Sequence, residues 1–325
     1  MKGQDKRISD IFYFSRVIAI IAVVAAHTPF HKCENKILMH IIDTFSCLGV
    51  AVFFFSAGYY FKGVGIKNRL SKMSCLLLPW VLLGSLGYFV NAISNGFSVF
   101  AYIRWVAGYG SYLWFMTMYV VLNVLFEVIQ YIKKAKAKEI LYVVLLLCTI
   151  ASRVLMPIFD VSGEKAFLNL FNWIGFFALG QLLQEKKCVV LFEKKGAILR
   201  GGICLALLTI FFVLEIRLDG IVGYFGYTAV IEQFCWIGLI FSVGSLFDNI
   251  PKMVSYIGKN TLSIYLIHIT PLQWVCGLFP IIAWLYIPLS VCFVAGLFLA
   301  LWAFYLLARK CKLEKIYEKV FGFKI

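Results

Sequence analysis

Apolar runs close to twenty residues long recur from one end of this chain to the other, divided by short segments that carry most of its lysines and arginines. A helix rises about 1.5 Å per residue, so about twenty apolar residues cross a hydrocarbon layer about 30 Å thick. Inside that layer every backbone N–H and C=O must be bonded within the chain, which leaves helices or closed barrels. Strands of alternating polarity, the mark of a barrel, are absent from the sequence. The expected fold class is all-α, a polytopic membrane helix bundle. Composition agrees: 62% of residues are hydrophobic and 14% charged, against roughly 45–50% and 25% in soluble domains. Within 325 residues there is no room for a large soluble domain beside such runs.

The runs resolve into about ten helices, near 11–30, 37–61, 74–92, 112–132, 139–157, 166–183, 199–216, 223–247, 255–279 and 281–308. A shorter amphipathic piece at 97–107 reads as interfacial or re-entrant, and little more than Pro280 divides the last two helices. The basic residues give the bundle a direction. If alternate gaps are external, they hold only Lys32, Lys36, Arg104, Arg153, Lys165 and Arg217. The remaining clusters, in the N-terminal tail, at 62–72, 133–138, 186–200 and 252–259, and in the C-terminal tail, fall on the other side. Lys and Arg accumulate on the cytoplasmic side, so both termini are expected in the cytoplasm of a cell protein anchored in the plasma membrane. Membrane lipids are then its immediate partners. The net charge of +15 reads as this topology signal and not as a nucleic-acid-binding surface.

The expected division is an integral membrane domain over 1–310 and a basic cytoplasmic tail over 311–325, lying on the inner leaflet or simply obeying the same charge rule. Lys2, Lys6 and Arg7 ahead of an apolar run resemble a signal peptide, with Val24-Ala25-Ala26 as a cleavage site. Arg16 interrupts that pattern, so an uncleaved first helix is expected. The ten cysteines include no Cys-x-x-Cys and no His/Cys spacing suited to zinc, so neither a metal site nor a disulfide framework is expected. No internal repeat of the inverted-transporter kind is visible.

Chemistry concentrates in the first run, where ten apolar residues separate Arg16 from His27. Eleven helical steps turn about 1,100°, about 20° past three full turns, and rise about 16 Å. Both side chains therefore lie on nearly one face, and ionisable groups inside a membrane usually face a polar cavity. A neutral imidazole can take a proton from a hydroxyl, and a guanidinium can bind a phosphate or carboxylate; the alternatives are a structural histidine and a snorkelling arginine. Lys67, Arg69 and Lys72 precede the third helix on the cytoplasmic side and read either as a clamp for an anionic donor or as loop charge. His40 and Asp43 fall at a depth similar to His27, and Asp43 could orient it. Glu232, followed by Gln233, is a carboxylate near the midplane. Tyr265 and His268 are three apart and share a helix face, lining a cavity or bracing helices. Pro79 and Pro271 are expected to kink their helices. Trp114, Phe115 and Tyr119 read as an outer aromatic belt, although aromatic faces also suit sugars. Spacing alone leaves open whether this polar wall serves group transfer or solute transport.

Five features in order resemble the acyltransferase 3 family of integral membrane acyltransferases. They are Ser15-Arg16 with His27 eleven residues on, Phe53-Phe54-Phe55-Ser56-Ala57-Gly58, Lys67-Asn68-Arg69 with Pro79, Tyr112-Leu113-Trp114-Phe115, and Tyr265-Leu266-Ile267-His268. The chain is closest in style to short members without extra soluble domains, and is also similar to the membrane portion of vancomycin-resistance serine racemases. It departs from the common pattern at Tyr13 and Ala51, where many members carry acidic residues, and at Lys72, where a different basic residue stands in place of a possible second arginine. The resemblance implies acyl transfer, usually acetyl, from cytosolic acyl-CoA to a hydroxyl or amine of a cell-envelope carbohydrate or related external acceptor. It implies His27 as the catalytic histidine and Arg16 and Arg69 in donor binding or charge stabilisation, with no metal. The competing expectation is a transporter or exporter of a small polar solute such as serine.

Overall fold

The computed structural model describes residues 2–28, 36–159, 163–217, 225–226, 228–278 and 285–324, so Lys32 and Pro280 lie outside the described residues. Among them the chain is helical, with no strand. The first half comprises α1 (Lys2–His27), α2 (Lys36–Ser46), α3 (Leu48–Tyr60), α4 (Ile66–Asn95), α5 (Val99–Val106), α6 (Trp114–Ile129) and α7 (Ala135–Ile158). The second comprises α8 (Glu164–Phe167), α9 (Ile174–Glu185), α10 (Ala197–Arg217), α11 (Ala229–Leu246), α12 (Lys252–Lys259), α13 (Thr261–Ile267), α14 (Ile269–Leu278), α15 (Tyr286–Lys310) and α16 (Glu314–Phe321).

Among the described residues, seven stretches are long and apolar enough to cross a membrane: Asp5–His27, Ile37–Tyr60, Ile66–Val90, Ala135–Met156, Ala197–Arg217, Ala229–Leu246 and Tyr286–Lys310. The second of these joins α2 and α3 through Cys47. An eighth candidate is the pair α13 and α14, bent by 59°. The bend has a local cause. Pro271 lacks an N–H, and its ring crowds the carbonyl four residues earlier, at Ile267, where α13 ends. The other two expected spans are shorter. α6 has 16 residues, and the run at 166–183 is divided between α8, a short 3-10 turn at Leu170–Asn172, and the 12-residue α9. The chain is thus a multi-pass membrane protein, with about seven long candidate spans among the described residues.

The helix that opens the chain is the one the others surround. α1 is apolar around its whole circumference from Val17 to Ala25, and it packs against α2, α3, α11, α12, α13, α14 and α15. Ala19, Ala22, Ala25, Ile20 and Val24 are fully buried, as a helix without a polar face requires. By contrast α10 exposes Ile198, Leu199, Ile203, Leu205 and Ile210, the surface lipid would cover. Small residues permit the closest approach. A Cβ on Gly58 of α3 would collide with the Phe177 carbonyl of α9, and one on Gly180 with the Phe55 carbonyl, so these backbones touch directly.

Two expectations about individual residues change, and the C-terminal segment takes a defined place. Arg153, expected in an external gap, lies within α7 and is fully buried. It stacks 4.6 Å from the ring centres of both Trp173 and Phe225 and donates to the Gln233 amide oxygen at 3.0 Å, which makes burial of the charge tolerable. Trp114 and Phe115, expected in an interfacial belt, are buried: Trp114 stacks on Trp173, and Phe115 lies 4.9 Å from Phe54. The C-terminal segment folds back as α16. Tyr317 and Phe323 are buried, the Tyr317 hydroxyl donates to the Leu301 carbonyl, and Asn260 exchanges two hydrogen bonds with the Lys324 backbone.

Candidate active site

Three cavities follow one another along α1. The first, about 200 Å³, is lined by Arg16, Phe53, Phe115, Tyr119, Lys259 and Tyr265. The second, about 350 Å³, is lined by His27, Asp43, Ser46, Tyr112, Trp114 and Tyr265. The third, about 420 Å³, has His27, Trp105, Tyr112, Trp114, Glu164 and Phe167 in its wall. Tyr265 borders the first and second, and His27 the second and third. Arg16 and His27 do share one side of α1, but the wall between them is partitioned at Tyr265.

His27 is the last residue of α1, and its Nδ1 lies 2.8 Å from the Val23 carbonyl. A carbonyl only accepts, so Nδ1 carries the hydrogen and Nε2 keeps its lone pair. The imidazole therefore has its unprotonated nitrogen at Nε2. Tyr112 and Trp114 reach the same space from a tight turn. Gly108 there has φ +91°, and a Cβ on it would strike the backbone of Trp114, so the turn needs glycine. The Tyr112 hydroxyl donates to the Leu266 carbonyl at 2.7 Å, and the Tyr265 hydroxyl donates to the Tyr112 carbonyl. These two reciprocal bonds fasten the turn to α13. The fully buried His268, at the α13–α14 bend, places its Nε2 3.3 Å from His27 Nδ1.

The first cavity is cationic. Arg16 makes no ion pair among the described residues, and its guanidinium lies 5.6 Å from the Tyr60 ring centre. Lys259 stands at the mouth, its ammonium near the rings of Tyr13 and Tyr256. Among the lining residues there is no carboxylate. Such a cavity suits an anion.

Other expected site residues are placed apart. Arg69 is turned into the protein and buried: Nε donates to Glu127 at 3.0 Å, one terminal nitrogen to the Asn123 side chain at 3.4 Å, the other to the Lys62 carbonyl at 2.5 Å. Glu127 also accepts from the backbone N–H groups of Val64 and Gly65, so this pair organises the start of α4. Lys67 and Lys72 remain exposed. The three are therefore not one open clamp, because Arg69 is committed to Glu127. His40 is paired with Glu215 at 2.8 Å. Glu232 accepts from Thr228 at 3.0 Å, away from the three cavities. Asp43 faces the cavity of His27 without a hydrogen bond to it.

Sequence reasoning missed Lys259, Glu127 and Glu164. Lys259 looks like any other loop lysine until α12 and α13 bring it beside Arg16. Glu127 carried a faint signal as a lone carboxylate in the apolar run at 112–132.

The model of an acyltransferase domain, that of the acyltransferase 3 family, matches residues 14–309. Comparison with curated proteins and with solved structures returns no match.

Proposed function

The chain belongs to the acyltransferase 3 family of membrane acyltransferases, and on that premise we propose that it moves an acyl group, in the first instance acetyl, from cytosolic acyl-CoA to a hydroxyl of a cell-envelope carbohydrate or related acceptor. The observation that carries the reading is the row of cavities along α1, cationic at the Arg16 end and bordered by a base at the His27 end. Donor phosphates dock at the mouth beside Arg16 and Lys259, and the pantetheine arm carries the thioester past Tyr265. Arg16, about 16 Å below His27 by helical rise, binds the donor and stays outside reach of the reacting carbonyl. This revises the division of labour: Arg69 shapes the mouth through Glu127, while Lys67 and Lys72 add long-range attraction.

At His27 the acceptor hydroxyl gives its proton to Nε2 as its oxygen bonds to the thioester carbonyl carbon. The carbon–sulfur bond then breaks, and the leaving thiolate takes the proton back from Nε2. General-base help of this kind is worth about 10²–10⁴ in rate. Trp105, Tyr112, Trp114 and Phe167 offer aromatic faces to the acceptor, and Asp43, Ser46 and Glu164 offer partners for its hydroxyls.

For this geometry the Arg16 end of α1 faces the cytoplasm. Counting the bent pair, α6 and the α8–α9 segment as spans gives ten, with both termini inside and the protein in the plasma membrane. A reporter fused to the C-terminus and reached only from the cytoplasmic side supports this topology; one reached from outside overturns it. The activity itself is tested by supplying acyl-labelled acetyl-CoA to membranes carrying the protein. Labelled envelope material with matching release of coenzyme A is expected. Flux of a small polar solute with no acyl product would replace the reading with a transporter.

A further inference from the structure

We propose that His268 is the positioning partner of His27: its Nε2 lone pair accepts the His27 Nδ1–H, holds the ring with Nε2 facing the acceptor, and stabilises the imidazolium that forms during transfer. This rests on His27 being the base.

The hydrogen positions follow from partners that can only accept. His268 Nδ1 lies 2.6 Å from the Tyr265 carbonyl, so that nitrogen carries the hydrogen and Nε2 has the lone pair. His27 Nδ1 carries its hydrogen because it faces the Val23 carbonyl at 2.8 Å. The 3.3 Å approach of His268 Nε2 to His27 Nδ1 is then a lone pair meeting an N–H, shared with Val23. The opposite tautomer of His268 would set two N–H groups against each other and leave the Tyr265 carbonyl without its imidazole donor. One assignment therefore satisfies every contact with both rings neutral.

The surroundings hold this arrangement in place. The ring centres are 4.9 Å apart at 67° between planes, an edge-on approach suited to a hydrogen bond and not to stacking. The Pro271 bend sets His268 at the end of α13. Tyr265 and Tyr112, locked together by their reciprocal bonds, pack against the His268 ring, with Tyr112 5.5 Å and Tyr265 5.7 Å away. His268 is fully buried, so it meets His27 and not the acceptor directly. When His27 gains a proton at Nε2, the charge spreads to Nδ1–H, and the bond to His268 strengthens at the moment charge develops.

Two amide substitutions separate a positioning role from a structural one. His268→Asn places an amide N–H where Nδ1 was, keeping the bond to Tyr265, but leaves nothing at the Nε2 position. His268→Gln places its amide oxygen near the Nε2 position and keeps an acceptor for His27. With the full-length protein in detergent, H268N is expected to lower kcat by about 10–100-fold, with KM for acetyl-CoA within about twofold, and H268Q to recover most of that loss. In an H27A background neither change should matter further. Equal kcat in H268N and wild type, or H268N outperforming H268Q, overturns the proposal. If H27A retains near-normal turnover, the base reading itself fails; if H27A is inactive and H268N normal, only the partner role fails.

Discussion

Arg16→Met is the perturbation whose outcome the cavities define most sharply. The guanidinium is partly buried in a cavity of about 200 Å³ whose lining includes no carboxylate, so no protein anion competes with an incoming phosphate. At about 5 Å and an effective dielectric of about 20, two unit charges attract by about 3 kcal/mol. Ordering the donor and stripping its water offset roughly half, leaving about 1.5–2 kcal/mol, or about 10–30-fold in Kd. Lys259 stands exposed at the mouth, and Lys67 and Lys72 are exposed on α4, so removing any one of these ammonium groups should cost less than about fivefold. Salt separates the two classes. Exposed charges are screened beyond about 10 Å at 0.1 M ionic strength, and partly buried ones much less. Titration of coenzyme A into the detergent-solubilised protein by calorimetry should show the R16M defect persisting in high salt and the K259M defect fading. Arg16→Lys, which keeps the charge but loses the planar fork, should fall between wild type and R16M. Normal affinity in R16M would refute the reasoning and return Arg16 to a headgroup anchor.

Other consequences concern assembly. Glu127→Ala leaves the Arg69 guanidinium buried without its carboxylate and frees two backbone N–H groups, so a loss of about 3–5 kcal/mol is expected, read as a lower midpoint of thermal aggregation in detergent. Gly58→Ala drives a methyl into the Phe177 carbonyl and should destabilise the α3–α9 contact by at least about 1–3 kcal/mol, seen as reduced yield of monodisperse protein; unchanged yield argues against the direct backbone contact. In the tail, burial pushes the Tyr317 phenol up to about 12. Its neutral form is the one that docks, so that contribution is complete below about 10 and lost as pH rises toward 12. Limited proteolysis should therefore release the segment containing α16 at high pH sooner in wild type than in Tyr317→Phe.

How much of this was legible beforehand depends on the range of the interaction. The all-helical membrane class follows from run length alone, and the common face of Arg16 and His27 follows from helical arithmetic. The break at the end of α13 is written in Pro271, because a proline acts on the carbonyl four residues before it. What the chain does not display locally is which charges meet across helices. Arg69 and Glu127 are 58 positions apart, and until α4 and α6 pack, Arg69 is indistinguishable from a loop cation. Arg153 looked external because it sits near the end of an apolar run, yet its true environment is an aromatic slot built from Trp173 and Phe225. Trp114 and Phe115 carry the composition of an interfacial belt, but the Gly108 turn directs them inward. Lys259 joins Arg16 only through the packing of α12 against α1. Side-chain partners separated by long stretches of sequence are set by three-dimensional packing, to which local periodicity is blind.

The central claim is that the imidazole at the end of α1 performs acyl transfer. It is met most directly by following labelled acetyl from acetyl-CoA into envelope material with wild-type protein and with His27→Ala, each shown to be folded and to bind coenzyme A equally. A fall in labelled product of about 10²-fold or more, with donor binding intact, is the outcome expected of a lost general base. Near-normal labelling by the His27→Ala protein would contradict the account.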